Sequence, residues 1–156
     1  MQHDAPDNAN VIALPPLIYT AAFVVGWLIH LAFPLPIMPG RLARVIGVLF
    51  VLASFPIAIT ALRALRQAQT TFDTMKPTTA IVTEGPFRYS RNPLYVSLTL
   101  LYLGVALLIN ALSIVLLVVP VLVVIQHGVI GREEAYLERK FGEEYLSYKA
   151  RVRRWV

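Results

Sequence analysis

The chain has 156 residues, of which 57% are apolar and 15% are charged, with a net charge of +5 and no cysteine. Because an ordinary soluble domain is about 45–50% apolar and about 25% charged, this composition indicates a membrane protein and excludes a disordered chain. The lack of cysteine excludes a disulfide scaffold and a thiolate metal site, and no other metal site is predicted. The positive charge fits anionic lipid headgroups better than nucleic acid, because so few residues are polar.

Three long segments without charge predict the membrane spans. Asp, Glu, Lys and Arg are missing from residues 8–40, 45–62 and 92–131. As one helix, the third segment would run roughly 60 Å at about 1.5 Å per residue, twice the ~30 Å hydrocarbon core, so we expect it to form two spans. No Lys or Arg precedes the first span, which favours a retained helix over a cleaved signal peptide. The sequence therefore predicts four transmembrane helices, at about residues 17–33, 42–62, 94–109 and 112–130.

Prolines and polar residues predict where these helices bend or end. Pro56 and Pro120 lie inside the second and fourth spans, where the loss of a backbone hydrogen bond predicts a kink. Asn110 separates the third and fourth spans, so we expect a tight antiparallel helical hairpin. After Gly131, apolar and aromatic residues recur every three or four positions among charged ones. This spacing predicts an amphipathic tail helix over about residues 132–154, lying on the lipid headgroups or packed over the bundle.

The basic residues predict the orientation of the chain. With four spans, the N-terminus, the loop at about residues 63–92 and the tail share one side of the membrane. That side holds 12 of the 14 Lys and Arg residues, and the other side holds only Arg41 and Arg44. The positive-inside rule therefore places both termini and the loop in the cytoplasm, most simply at the cytoplasmic membrane of a bacterium or archaeon.

Two polar features lie at this predicted interface. The first is the loop at residues 77–95, where an Asn-Pro pair predicts the start of the third span and puts Arg91 at its mouth. The second is Glu133 with Glu134, which follow 40 uncharged residues. An arginine here also suits an ordinary positive-inside anchor, and the two glutamates also suit a solvated helix on which they pair with nearby basic residues. Each feature alone therefore leaves both interpretations open.

Together, the two features belong to a spaced pattern in the C-terminal half. Residues 82–95 read VTEGPFRYSRNPLY, and after the predicted hairpin residues 132–152 read REEAYLERKFGEEYLSYKARV. This pattern resembles the integral-membrane methyltransferases of the isoprenylcysteine carboxyl methyltransferase and phospholipid methyltransferase group. Their pattern has a Val-Thr-x-Gly-x-Tyr segment, an Arg-His-Pro-x-Tyr element, and a Glu-Glu pair followed by Phe-Gly-x-x-Tyr. The resemblance implies an all-α polytopic membrane enzyme, formed as a single domain over residues 1–156, that uses S-adenosylmethionine.

The resemblance also implies a set of site residues. In that family S-adenosylmethionine is held between the loop and the helical hairpin, with Arg91 and Glu133 matching catalytic positions. Phe87 replaces a common Tyr, and Asn92 replaces a common His. Val129 stands where eukaryotic isoprenylcysteine enzymes have an Arg that contacts the substrate, which counts against a prenylated-protein carboxylate. The residues matched to cofactor-binding positions are Thr79, Ala80, Ile81, Val82, Gly85, Phe87, Asn92, Pro93, Leu94, Tyr95 and Glu134.

The charges of these residues suit the groups of S-adenosylmethionine. Glu133 or Glu134 is suited to its ammonium, and Arg91 is suited to its carboxylate or to a carboxylate of the substrate. Phe87 or Tyr95 is suited to packing on its adenine ring. Because methyl transfer is an in-line displacement, we expect a dry site to act chiefly through alignment.

The sequence thus predicts a methyltransferase that acts on a lipophilic small molecule or a membrane lipid at the cytoplasmic face. O-methylation of an isoprenoid or prenyl-type carboxylate is the first candidate, N-methylation of a phospholipid amine the second, and S-methylation of a small thiol the third. An amine or thiol must lose a proton, for which His127 is a candidate base, the alternative being an interfacial histidine. The rival from another class is a non-enzymatic membrane scaffold or small transport subunit. The charges gather at one interface instead of midway through a span, which favours the enzyme.

Overall fold

The computed structural model describes residues 8–71 and 76–156, and these residues form helices and no strands. This confirms the predicted all-α fold class. A 3-10 turn at Gly85–Arg88 precedes the third helix, and a π-helical turn at Ile125–Ile130 lies inside the last long helical stretch. The α-helices are α1 (Pro15–Ala32), α2 (Gly40–Gln67), α3 (Pro93–Ile109), α4 (Leu112–Leu116), α5 (Val118–Val124), α6 (Gly131–Phe141) and α7 (Glu143–Arg151).

Among the described residues, three helical stretches are long and apolar enough to cross a membrane. These are α1, α2 and the continuous stretch Leu112–Phe141, which contains α4 to α6. Helix α3 is also apolar but has 17 residues. At about 1.5 Å per residue it is roughly 26 Å long, at the short end of the range for a spanning helix. The architecture is that of a polytopic membrane protein.

Small residues set how closely the apolar helices approach each other. A Cβ atom on Gly104 of α3 would lie 2.8 Å from Val51 Cγ2 of α2, and one on Gly47 of α2 would lie 2.9 Å from the Gly104 carbonyl oxygen. A Cβ atom on Gly26 of α1 would lie 2.9 Å from Ile114 Cα of α4. Because helix association inside a membrane depends on close van der Waals packing, these contacts hold the bundle together.

The outer and inner surfaces of the bundle are both apolar. On α1 and α2 large side chains such as Leu28, Leu31, Leu49 and Leu52 are exposed, as expected for helices that face acyl chains. The buried core is centred on the stretch that follows α3. Its largest fully buried side chains are Ile114, Ile125, Val129 and Ile130.

The predicted helical hairpin turns at Asn110, which takes a left-handed conformation with φ +61°. Asparagine tolerates this conformation better than most residues. Its side chain also fixes the loop between α1 and α2, because Oδ1 accepts a hydrogen bond from Ile37 N–H at 3.0 Å and Nδ2 donates to the Met38 carbonyl at 2.9 Å. The hairpin therefore returns the chain to the end of the bundle where α3 begins.

The tail differs from the single helix predicted over residues 132–154. Gly142 takes φ +53° and ψ −126° and ends α6, so that α7 runs in a new direction and ends at Arg151. Such a backbone conformation is readily accessible only to glycine. Val152 is then extended, and residues 152–155, called here segment 152–155, lead back to the start of α3. At the other end of the loop, α2 continues to Gln67, beyond the predicted end at residue 62.

Candidate active site

A cavity lies at the end of the bundle where the loop at residues 78–82, the start of α3, and helices α6 and α7 meet. It encloses about 900 Å³, part of which is open to solvent. Its walls are mainly apolar and aromatic, and its charged groups are Arg91, Glu133 and Glu134. An apolar cavity with a few convergent polar groups is typical of a small-molecule site.

Most of the site residues implied by the resemblance line this cavity. Thr79 and Gly85 do not. Thr79 is bonded to the residues after α2, since its Oγ1 donates to the Gln69 carbonyl at 2.9 Å and its N–H donates to Thr70 Oγ1 at 3.1 Å. Gly85 opens the 3-10 turn with φ +58°. Thr79 and Gly85 therefore set the path of the loop and do not form the wall of the cavity. The predicted residues that line the cavity are Ala80, Ile81, Val82, Phe87, Arg91, Asn92, Pro93, Leu94, Tyr95, Glu133 and Glu134.

The start of α3 is held by segment 152–155. Pro93 occupies the first helical position, where its missing N–H costs nothing. Just before it, Arg91 N–H donates to the Arg153 carbonyl at 2.9 Å, and Asn92 Nδ2 donates to the Arg154 carbonyl at 2.9 Å. Two regions 62 residues apart in sequence are therefore fixed against each other at the cavity. An amide in place of the family's common imidazole thus makes a structural contact here.

Glu134 is buried at the centre of a cluster of basic residues. Its two carboxylate oxygens accept hydrogen bonds from Arg154, with Nε to Oε1 at 2.9 Å and Nη2 to Oε2 at 2.6 Å. Lys149 Nζ lies 3.9 Å from Glu134 Oε2 and makes a closer ion pair with Glu138. Arg91 Nη1 lies 3.2 Å from Glu134 Oε1. The pair that Arg154 forms with Glu134 is fork-to-fork, and such pairs of arginine and carboxylate are among the stronger ion pairs in proteins.

Arg91 contributes unpaired donors to the cavity wall. Its side chain is only 9% exposed, yet Nε and Nη1 have no hydrogen-bond partner among the residues that the structure describes. The 3.2 Å approach of Nη1 to Glu134 lacks hydrogen-bond geometry. Buried donors normally have partners, because leaving one unpaired costs about 1–3 kcal/mol. The side chain is therefore prepared for an acceptor that carries negative charge.

Glu133 points in a different direction from its neighbour. Consecutive residues on an α-helix are about 100° apart, so one glutamate faces α3 while the other faces segment 152–155. Tyr95 OH donates a hydrogen bond to Glu133 Oε1 at 2.7 Å. The π-helical turn at Ile125–Ile130 directly precedes α6, and such turns are frequent at functional sites. The Tyr95–Glu133 pair forms part of the polar wall of the cavity.

Three tyrosines that the sequence analysis did not assign to the site also line the cavity. Tyr136 OH accepts a hydrogen bond from Thr78 N–H at 3.1 Å, and Tyr148 OH donates to the Phe87 carbonyl at 2.8 Å. Tyr145 is 2% exposed. Tyr145 and Tyr148 belong to the apolar stripe of the predicted tail helix. Their hydroxyl groups, in an otherwise apolar stripe, are the feature of the sequence that indicates a place at the site.

Ionisation at the outer end of the site follows from burial and from Glu134. Burial raises the pKa of Tyr145 to about 12, with Glu134 adding to the rise and Arg91 opposing it. The hydrogen bonds to Glu134 raise the pKa of Arg154 above its ordinary value. Tyr145 is therefore neutral and Arg154 is charged at every physiological pH.

His127, the candidate base, does not line this cavity. It lies in a separate apolar groove between α3 and α5 together with Trp155, whose Nε1 donates to Gln126 Oε1 at 2.9 Å. The structure therefore brings Glu133, and not His127, to the wall of the cavity.

Comparisons with known proteins identify the family of the chain. A protein of Haemophilus influenzae described as uncharacterized is 45% identical over 64 residues, which are 40% of this chain and 100% of that protein. No solved structure matches the chain. The family model described as phospholipid methyltransferase matches residues 42–144, which include the loop, α3 and α6. Because this match covers more than half of the chain, the protein belongs to the phospholipid methyltransferase family of membrane methyltransferases.

Proposed function

We propose that the protein transfers a methyl group from S-adenosylmethionine to a lipophilic acceptor in this cavity. The observation that carries the proposal is the pair of unpaired, buried Arg91 nitrogens, which share one cavity with the Glu133 carboxylate. This is a matched pair of charges for a ligand that itself has an anionic and a cationic end. Family membership supports the same reaction type.

The residues present fit the cofactor. Arg91 supplies the cofactor's carboxylate with a buried donor that has no hydrogen-bond partner, either Nε or Nη1, which lie on different edges of the guanidinium. Phe87, which is 9% exposed, supplies an aromatic wall for its adenine. Glu134 is less suited to its ammonium, because Arg154 already engages both carboxylate oxygens. Glu133 has one oxygen bonded to Tyr95 and is the better partner for a cation.

The chain contributes alignment, exclusion of water and one acceptor of protons. When bound, S-adenosylmethionine supplies a methyl group on a positively charged sulfur. Arg91 and the apolar loop wall fix the donor side, and the remaining apolar wall of the cavity orients the acceptor for in-line attack. Tyr95 OH holds Glu133 in one orientation at 2.7 Å, which places a carboxylate where an attacking amine or thiol would lose its proton.

A phospholipid amine is the acceptor that this geometry supports best. Glu133 attracts an ammonium headgroup and accepts its proton, whereas it would repel a carboxylate. The family description points to phospholipids as well. An isoprenoid or prenyl-type carboxylate is the second candidate, favoured by the free Arg91 donors if these bind the acceptor instead of the cofactor. A small thiol, like an amine, would lose its proton to Glu133.

The site lies at the end of the bundle that carries most of the basic residues. The positive-inside rule supports a cytoplasmic orientation for this end and for both termini, in a bacterial or archaeal cytoplasmic membrane. Cofactor then enters from the cytoplasm, and the lipid acceptor enters sideways from the bilayer.

Two measurements test the proposal. Calorimetry of purified protein in lipid nanodiscs should detect binding of S-adenosylmethionine and of its demethylated product, and Arg91→Gln should weaken it at least tenfold. Arg88→Gln is the matched control, because Arg88 is exposed and does not line the cavity. Incubation with a labelled methyl donor and a total lipid extract should then place the label in an amine-headgroup lipid. Folded wild-type protein that binds neither compound would contradict the methyltransferase assignment, and label confined to a prenyl-type carboxylate would reverse the order of the acceptors.

A further inference from the structure

Glu134 has three cationic neighbours, Arg91, Lys149 and Arg154, and one of them engages both of its oxygens. Arg154 donates to both carboxylate oxygens, at 2.9 and 2.6 Å. Arg91 Nη1 is also within ion-pair distance, at 3.2 Å from Oε1, but it makes no hydrogen bond there. Arg154 therefore sets the orientation of this carboxylate, and in that orientation Arg91 makes no hydrogen bond to it.

The orientation of the Glu134 carboxylate explains why Nε and Nη1 of the buried Arg91 have no hydrogen-bond partner. An arginine next to a free carboxylate forms a bidentate pair, since the planar guanidinium fork matches the two oxygens. If Arg154 were absent, Arg91 would be the nearest guanidinium to Glu134, and a small side-chain rotation would complete its hydrogen bonds. Lys149 is a weaker rival, because it is 3.9 Å away and is paired with Glu138.

We propose that Arg154 is a positioning residue that engages Glu134 and thereby keeps Arg91 available for an anionic group in the cavity. The inference rests on the proposed function only for the identity of that anion, which is the carboxylate of the cofactor. The availability of Arg91 itself is a property of the protein without ligand.

The backbone delivers Arg154 to this place. The Arg154 carbonyl accepts from Asn92 Nδ2 at 2.9 Å, and the Arg153 carbonyl accepts from Arg91 N–H at 2.9 Å. On the other side, Trp155 is bonded to Gln126 at 2.9 Å. The guanidinium of Arg154 is therefore held between two fixed neighbours, unlike that of a freely mobile surface arginine, although it is 31% exposed.

A stability cycle tests the inference without any cofactor. In the otherwise wild-type protein, Arg91→Gln should leave the melting temperature unchanged or raise it, because it removes unpaired buried donors. In the Arg154→Gln background the same substitution should lower the melting temperature by several degrees, because Arg91 then pairs with Glu134. Equal effects in both backgrounds would overturn the inference. Arg153→Gln, whose side chain is exposed, serves as the matched control background and should behave as wild type.

A binding cycle gives a second readout. Arg154→Gln should weaken binding of the demethylated cofactor product about tenfold by calorimetry, and adding Glu134→Gln should recover most of that loss, since Arg91 then has no carboxylate to pair with. Arg154→Lys should give an intermediate loss, because an ammonium cannot engage both oxygens as a fork. A double variant that binds as weakly as Arg154→Gln, or more weakly, would overturn the inference.

The two cycles separate this inference from the proposed function. If wild-type protein binds no cofactor but the stability cycle gives the expected difference, the proposed function fails and the role of Arg154 stands. If the wild-type protein binds the cofactor but each substitution has the same effect in both backgrounds of its cycle, the role of Arg154 fails and the proposed function stands.

Discussion

The membrane-embedded part of the bundle and its site-bearing end are stabilised by different interactions. The crossing of α2 and α3 is built from glycines and apolar side chains, with backbones so close that a Cβ on Gly104 would lie 2.8 Å from Val51. The site-bearing end is instead fixed by hydrogen bonds and ion pairs between the loop, α6 and segment 152–155. The first region thus depends on shape and the second on charge, so substitutions should affect them separately.

The largest effect is expected from removing charge at the site. Glu133→Gln should lower kcat for an amine acceptor by about 10²–10⁴, the usual contribution of a general base. The melting temperature should change little, since a glutamine oxygen still accepts from Tyr95 OH. The measurement is labelled-methyl transfer beside thermal unfolding. Glu144→Gln, on the exposed side of α7, is the control and should retain wild-type kcat. Retention of kcat by Glu133→Gln would remove Glu133 from the mechanism.

At the crossing of α2 and α3 we expect a substitution to lower the melting temperature and to leave cofactor affinity nearly unchanged. Gly104→Val forces atoms against the α2 backbone, and overpacking of this kind costs about 1–3 kcal/mol. Thermal unfolding in detergent should register a clear fall in melting temperature, while cofactor affinity of the folded fraction stays near wild type. Gly40→Ala is the control, because a Cβ there meets no atom within 4 Å. A Gly104→Val protein as stable as wild type would contradict the close packing of α2 and α3.

A smaller fall in melting temperature is expected from a substitution where segment 152–155 contacts the π-helical turn at Ile125–Ile130. Trp155→Phe removes the 2.9 Å hydrogen bond to Gln126, and a typical hydrogen bond contributes about 0.5–1.5 kcal/mol. For a chain of this length 1 kcal/mol corresponds to a fall of about 2–4 °C in melting temperature. Trp27→Phe on α1 is the matched control, since the Trp27 side chain is 38% exposed. If the control lowers the melting temperature as much as Trp155→Phe does, the hydrogen bond contributes nothing measurable.

The apolar half of the molecule was the easier part to predict from sequence. Charge-free segments and the Asn110 turn are local signals, and they predict the helical class and the hairpin directly. The break at Gly142 does not follow from the apolar stripe, because the stripe continues across it and the positive φ of Gly142 separates α6 from α7. A pattern of side chains does not record such a change of direction.

Within the site, residue types were predictable and their partners were not. The resemblance brings Arg91, Glu133 and Glu134 together, but their charges alone leave the two glutamates as alternatives for the same ammonium. The structure separates them, since Glu134 is engaged by Arg154 and Glu133 by Tyr95. Arg154 lies 20 residues from Glu134, and a pairing over that distance depends on the path of segment 152–155. The path follows from the positive φ of Gly142 and from backbone hydrogen bonds, neither of which a spacing pattern records.

Tyr145→Phe is expected to change the melting temperature least of these variants at neutral pH. At high pH we expect it to differ from wild type. The pKa of Tyr145 is raised to about 12 from an ordinary value of 10, chiefly by burial, so the folded state favours the neutral phenol. This contribution to stability is fully present below pH 10 and is lost as the pH rises from about 10 to about 12. The melting temperature should therefore fall over that window, and Tyr145→Phe, which cannot ionise, should fall less. Tyr89→Phe, with a ring that is 75% exposed, is the matched control and should follow wild type. A Tyr145→Phe curve that coincides with wild type through this window would mean that the phenol is not buried at the site. The contrast between a membrane region that depends on shape and a site-bearing end that depends on charge would then no longer hold for Tyr145.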